Sequence, residues 1–253
     1  MRCLMAITAG LLLLICGCTS GTAPPSATSA SAEPPYACIP PASEVPHAAT
    51  SPADPRLQRR IAIIGDSYTS GSPQGGSGEM SWAALVIRQF QQHGLNVAAD
   101  IGAEGASGYV SVGRRGHKFV DQISRTVRAN DSLVVFFGST NDLTAPLGAM
   151  SRATCDTLRA ARLAAPTAKL LVIGPAWPSA HPPKDISQQR DIIRDRTAAL
   201  GGLFVDPLQD GWFAKHPDLI GSDGKHPTDA GHAFMAQLIA PIAERLIRPP
   251  ATG

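Results

Sequence analysis

The chain has 253 residues, with 22 Lys and Arg against 20 Asp and Glu and a formal charge of +2. This near-neutral balance, with no basic block, argues against nucleic acid as a partner. The five cysteines form no CxxC pair and there is no HExxH pattern, so no metal site is expected.

Met1 to Gly17 carries one charge, Arg2, followed by an apolar run from Leu4 to Ile15. That run is shorter than the roughly 20 residues of a membrane span, and residues 1–17 read as a secretory signal. Ile15-Cys16-Gly17-Cys18 follows directly. It resembles a bacterial lipobox, in which a small residue precedes a cysteine that is acylated and becomes the new N-terminus. The expectation is an exported protein held at the outer face of a membrane by lipid on Cys18. Ordinary cleavage near Gly21-Thr22-Ala23 gives a soluble secreted protein instead. Residues 18–55 are dominated by Ala, Pro, Ser and Thr. They bury little apolar surface and read as a tether. Export makes a disulfide between Cys38 and Cys155 possible; the alternative is two separate thiols.

Residues 56–250 are long enough for one domain with its own core. Ile61–Ile64 begins it as an apolar run without polar alternation. Similar runs recur at Val97–Ile101, Leu133–Phe137, Leu170–Ile173 and Leu203–Val205. Such runs predict strands buried on both faces of a parallel sheet. Helical patterns lie between them. Trp82, Leu85, Val86 and Phe90 fall on one stripe ending at Gly94; Phe119, Val120, Ile123 and Val127 share another. Further helices are predicted over about 147–164, 186–200 and 228–246, the last with a stripe of Phe234, Leu238, Ile242 and Leu246. The alternation predicts a three-layer α/β/α sandwich around a parallel sheet of about five strands.

Three polar stretches fall where these strands end. Gly65-Asp66-Ser67 follows the first, "GSTND" with Asn141 and Asp142 follows the third, and "DGKHPTDAGH" with Asp223 and His226 precedes the last helix. Open α/β folds place their chemistry at this edge. A serine hydroxyl needs an adjacent base to act as a nucleophile, and His226 is the candidate base, with Asp223 a candidate orienting acid.

In order and spacing this set resembles the SGNH (GDSL) hydrolase family, over nearly all of Arg60 to Leu246. The resemblance implies a flavodoxin-like sheet in the order 2-1-3-4-5 and a cofactor-free serine esterase acting on acyl or acetyl esters. Its catalytic residues would be Ser67, His226 and Asp223. Its oxyanion donors would be the backbone N–H of Ser67, a glycine N–H and the side chain of Asn141. In "IGAEGASGYV" Gly105 fits the glycine role best and Gly108 is the alternative. Substrates of such a family range over small acyl esters, lipids and acylated glycans. An envelope acyltransferase using the same triad, or a glycan-binding lipoprotein without turnover, are the alternative readings. Asp66 is expected to be structural, and His232 to pack the last helix rather than bind metal. The loops Thr69–Met80 and Gly174–Asp185 either border the site or are surface loops.

Overall fold

A computed structural model describes Cys38 and residues 58–248. The predicted signal segment 1–17, Cys18 and, apart from Cys38, the linker 18–55 lie outside the described residues. Five strands, β1 (Arg59–Gly65), β2 (Val97–Ala103), β3 (Asp131–Phe137), β4 (Lys169–Ile173) and β5 (Leu203–Val205), form one sheet. All pairs are parallel, in the order β2-β1-β3-β4-β5. The helices are α1 (Ser67–Ser70), α2 (Trp82–Gln92), α3 (Phe119–Thr126), α4 (Leu147–Ala164), α5 (Lys184–Ala199), α6 (Pro207–Asp210) and α7 (Asp229–Ile247).

Successive side chains on a strand point to opposite faces, so each central strand feeds two cores. Ile61, Ile63, Leu133, Val135, Leu171 and Ile173 pack with Trp82, Val86 and Phe90 of α2 and with Met235 and Ile239 of α7. Ala62, Ile64, Val134, Phe136, Leu170 and Val172 pack with Phe119 and Ile123 of α3, Met150 and Leu158 of α4 and Ile193 of α5. This is the α/β/α sandwich expected.

The elements depart from expectation in three places. Burial on both faces holds for β1, β3 and β4 but not for the edge strands: Ile101 of β2 is 46% exposed and Leu203 of β5 is 43% exposed. On α7 the fully buried stripe is Met235, Ile239, Ala243 and Ile247, while Phe234, Leu238, Ile242 and Leu246 flank it, partly buried. The helix is apolar over a wide arc, so its sequence fits both stripes. Ser67, after the Asp66 cap that follows β1, opens a single helical turn, α1, and Thr69 and Ser70 of the expected loop belong to it. Four residues are too few to show a period.

Cys38 is buried and forms a disulfide with Cys155 of α4, with Cα atoms 5.6 Å apart. The bond closes a sequence separation of 117 residues. Constraining so long a loop in the unfolded chain stabilises the fold by about 4–5 kcal/mol in the chain-entropy account.

The register brings the strand ends together. Gly65 lies opposite Ala103 on one side and Phe137 on the other, and Phe137 lies opposite Ile173. From β1 the chain runs outward to β2 and then back across to β3. The resulting switch point opens a crevice at the carboxyl ends of β1 and β3.

Candidate active site

β1 ends at Gly65, where an added Cβ would lie 2.1 Å from Thr69 Oγ1. The chain must therefore turn there without a side chain. Asp66 caps the turn that follows, its Oδ1 accepting the Tyr68 N–H at 2.9 Å. Ser67 is the first residue of α1, at the crevice.

His226 meets Ser67 from the far end of the chain. Its Nε2 stands 3.0 Å from Ser67 Oγ, and its Nδ1 stands 2.6 Å from Asp223 Oδ2. With Nδ1–H donating to the carboxylate, Nε2 is left to accept the Ser67 hydroxyl proton. Asp223 Oδ1 also accepts the backbone N–H groups of Lys225 and His226, each at 2.9 Å. The donors of His226, backbone and ring, hold the Asp223 carboxyl down at about 2. It is an ionised, pre-positioned acceptor for the imidazole.

The histidine loop is tied down at several points. Tyr68 donates its hydroxyl to Lys225 O at 2.6 Å, and its buried ring packs edge-on to Phe137 and Phe213. Gln74 Oε1 accepts the Ser222 N–H at 2.9 Å, and Asp229 Oδ1 accepts the Gly76 N–H at 2.7 Å. Gly76, at φ 77°, lies against the ring of His232, where an added Cβ would be 1.9 Å from Nε2. His232 is buried and its Nδ1 accepts the Trp82 N–H at 3.3 Å. Burial pushes His232 down to about 4. It packs α7 against α2 as a neutral ring. The loop Thr69–Met80 therefore buttresses the His226 loop. Of the loop Gly174–Asp185, Pro175 and Ala176 line a narrow crevice with Asp66, Tyr68, Gly138 and Thr140.

The two candidate glycines separate clearly. A Cβ on Gly105 would sit 4.0 Å from Ser67 Cβ, and the Gly105 N–H has no acceptor among the described residues. Gly108 donates its N–H to Ser111 O at 3.0 Å, and a Cβ there would run into Asp142 Oδ2 at 2.4 Å. Gly105 thus borders the serine with a free N–H, while Gly108 makes room for a carboxylate.

Asn141 lies at the site, but its amide is engaged. Nδ2 donates to Ser107 O at 2.8 Å and to Asp66 Oδ2 at 3.1 Å. Asp66 is 2% exposed. Burial, reinforced by the neighbouring charge of Asp142, pushes its carboxyl up to about 7 despite the Tyr68 and Ser139 hydrogen bonds. Asp66 is thus structural, as expected, and it also holds the expected oxyanion residue.

Three further residues build the site. Asp142, fully buried, accepts the N–H groups of Tyr109, Val110 and Ser111 at 2.7–3.0 Å. It fixes the loop that carries Gly105. Glu104 is buried beneath the same loop and accepts His117 Nδ1 at 2.8 Å and the Arg115 N–H. Burial opposes its charge, but these donors outweigh it and hold the carboxyl low. Tyr68 stands beside Ser67 in sequence. Asp142 stands within the GSTND stretch without a role read from it, only adjacency to Ser67 pointed to Tyr68, and nothing local pointed to Glu104.

Among the described residues no group of three or more His, Cys, Asp and Glu is placed to hold a metal ion.

A parallel α/β/α sandwich with serine, histidine and aspartate joined at its strand ends defines the class: an ester hydrolase of the SGNH type. The family model described as GDSL-like lipase/acylhydrolase matches residues 63–234, and the chain belongs to that family. It is 44% identical over 185 residues to a GDSL lipase of Mycobacterium tuberculosis, covering 72% of this chain and 80% of that protein. Among solved structures, a lipase/acylhydrolase from Enterococcus faecalis superposes with a TM-score of 0.58 at 18% identity, covering 77% of this chain and 100% of that one. A carbohydrate esterase of family 3 from Talaromyces cellulolyticus gives 0.58 at 20% identity, covering 75% and 98%. At such identities these two structures speak for the fold.

Proposed function

We propose that the protein is an exported serine esterase that cleaves carboxylic esters through an acyl-enzyme on Ser67. The observation that carries this reading is the hydrogen-bonded chain Ser67 Oγ–His226 Nε2, His226 Nδ1–Asp223 Oδ2, at 3.0 and 2.6 Å. Ser67 Oγ attacks the ester carbonyl as His226 Nε2 takes its proton, and Asp223 stabilises the imidazolium that forms. The tetrahedral oxygen is received by the N–H groups of Ser67 and Gly105. Asn141 joins them by exchanging its longer bond, the one to Asp66. Protonation of Asp66 eases that exchange, because a neutral carboxyl is a weaker acceptor than a carboxylate. His226 then protonates the leaving alkoxide. A water, deprotonated in turn by His226, releases the acid and frees Ser67. No cofactor enters this sequence.

The relative from M. tuberculosis carries the name lipase, and the neighbour from T. cellulolyticus the name carbohydrate esterase. Both support an ester substrate for this chain, either a lipid or an acylated glycan. The Cys38–Cys155 disulfide supports an oxidising compartment and, with the lipobox-like stretch Ile15-Cys16-Gly17-Cys18, a lipid-anchored protein outside the membrane. A fluorophosphonate probe tests the nucleophile. It is expected to label the wild type once, on Ser67; labelling elsewhere, or none in folded protein, overturns the reading.

A further inference from the structure

Arg114 stands against the candidate oxyanion glycine, and among the described residues its side chain has no hydrogen-bond or ion-pair partner. The point where a Gly105 Cβ would lie is 3.9 Å from both Cδ and Nε of Arg114 and 4.0 Å from Ser67 Cβ. By these distances Arg114 Nε lies no more than about 8 Å from Ser67 Cβ. The backbone holds it there: Arg114 N–H donates to Gly105 O at 3.1 Å, and Gly113 N–H to His117 O at 2.9 Å. Arg115 and Arg125, by contrast, both turn toward Glu104. Arg114 is exposed, and among the described residues its side chain meets no carboxylate.

The carboxylates around the serine are all occupied. Asp223 takes His226, Asp142 takes three backbone N–H groups, and Asp66 is buried under Tyr68 and Asn141. Glu104 is buried under its own cations and His117. Exposed Lys225 lies between Asp223 and His226 in sequence, and its ammonium acts favourably on the charge of Asp66. Arg114 thus brings a positive charge close to Ser67, and the His226 loop adds that of Lys225.

Resting on the esterase reading above, we propose that Arg114 is a specificity-determining residue that selects esters bearing an anionic group, a carboxylate or phosphate, near the scissile carbonyl. A guanidinium offers a planar fork of donors that such groups accept in pairs. It recognises the anion without touching the reacting atoms.

The test uses two matched ester pairs and the full chain in detergent. In one pair the anion is on the acid half: mono-p-nitrophenyl adipate against p-nitrophenyl hexanoate. In the other it is on the alcohol half: 4-acetoxybenzoate against its methyl ester. The readout is the anionic-to-neutral ratio of kcat/KM in wild type and Arg114→Gln. Arg114→Gln is expected to lower the ratio about fivefold at low salt in at least one pair, with the difference shrinking as salt screens it. Arg114→Lys should recover part of it. The pair that responds assigns the anion to the acid or the alcohol half. Turnover of neutral esters with unchanged ratios in both pairs overturns the role of Arg114. No turnover of any ester by folded wild type overturns the esterase reading instead.

Discussion

The hydroxyl of Tyr68 donates to the carbonyl of Lys225 at 2.6 Å. This one bond joins the residue after the nucleophile to the residue before the base. The strand end that presents Ser67 and the loop that presents His226 are thus locked in register across a separation of 157 residues. Tyr68→Phe keeps the ring packing and removes the lock. It should cost about 1 kcal/mol of stability and lower kcat about tenfold with little change in KM, because small displacements of a catalytic pair are costly. Unaltered kcat in the mutant would show that the loop is held well enough by Gln74 and Asp229.

Asp66 should leave a signature in the pH dependence of stability. Its carboxyl titrates near 7 in the fold and near 3.9 in the unfolded chain. Between those values the native state binds the extra proton, so this group's contribution falls as pH rises and levels off above 7. His232 acts with the opposite sign. Its folded value of about 4 lies below the unfolded value of about 6.5, so its contribution rises over that window. In Asp66→Asn the first effect is gone and the second remains. Denaturant titrations from pH 4 to 7 should show the mutant gaining stability relative to wild type as pH rises. Parallel curves would mean that Asp66 is ionised throughout.

The two glycines of the second loop should respond differently to a methyl group. Gly105→Ala meets only ordinary contacts, at 3.9–4.0 Å, and keeps its N–H; Gly108→Ala drives a Cβ into the Asp142 carboxylate. Gly105→Ala should therefore melt near wild type. Gly108→Ala should lose about 1–3 kcal/mol as Asp142 releases the N–H groups of Tyr109 to Ser111. Equal melting temperatures would contradict this division of roles.

How much of this was legible in sequence depended on the range of the interaction. Ile61–Ile64, Leu133–Phe137 and Leu170–Ile173 announced central strands because burial on both faces leaves no polar alternation. The edges β2 and β5 were read the same way; Asp100 within β2 is the one local sign of an exposed face, and Leu203–Val205 carries none. Ser67, Asp223 and His226 were legible because each sits in a short motif with its own turn chemistry. The direction of the Asn141 amide was not. Its acceptors, Ser107 O and Asp66 Oδ2, come from two other strand ends. Glu104 was invisible for the same reason: its donors lie on a loop that folds back over it.

Residues 1–17 and Cys18 carry the proposal of export and anchoring. Cys18→Ala should move the protein from the membrane fraction to the soluble fraction on cell fractionation, with esterase activity following it. A Cys18→Ala protein that stays with membranes would remove the lipid anchor from the account.

The most direct test of the central claim is turnover of p-nitrophenyl acetate by wild type and Ser67→Ala, each confirmed folded by its thermal transition. The substitution should cost about 10⁴–10⁶ in kcat, as expected for loss of a nucleophile. A folded Ser67→Ala enzyme within tenfold of wild type would place the chemistry on another residue and leave the Ser67–His226–Asp223 chain a structural feature.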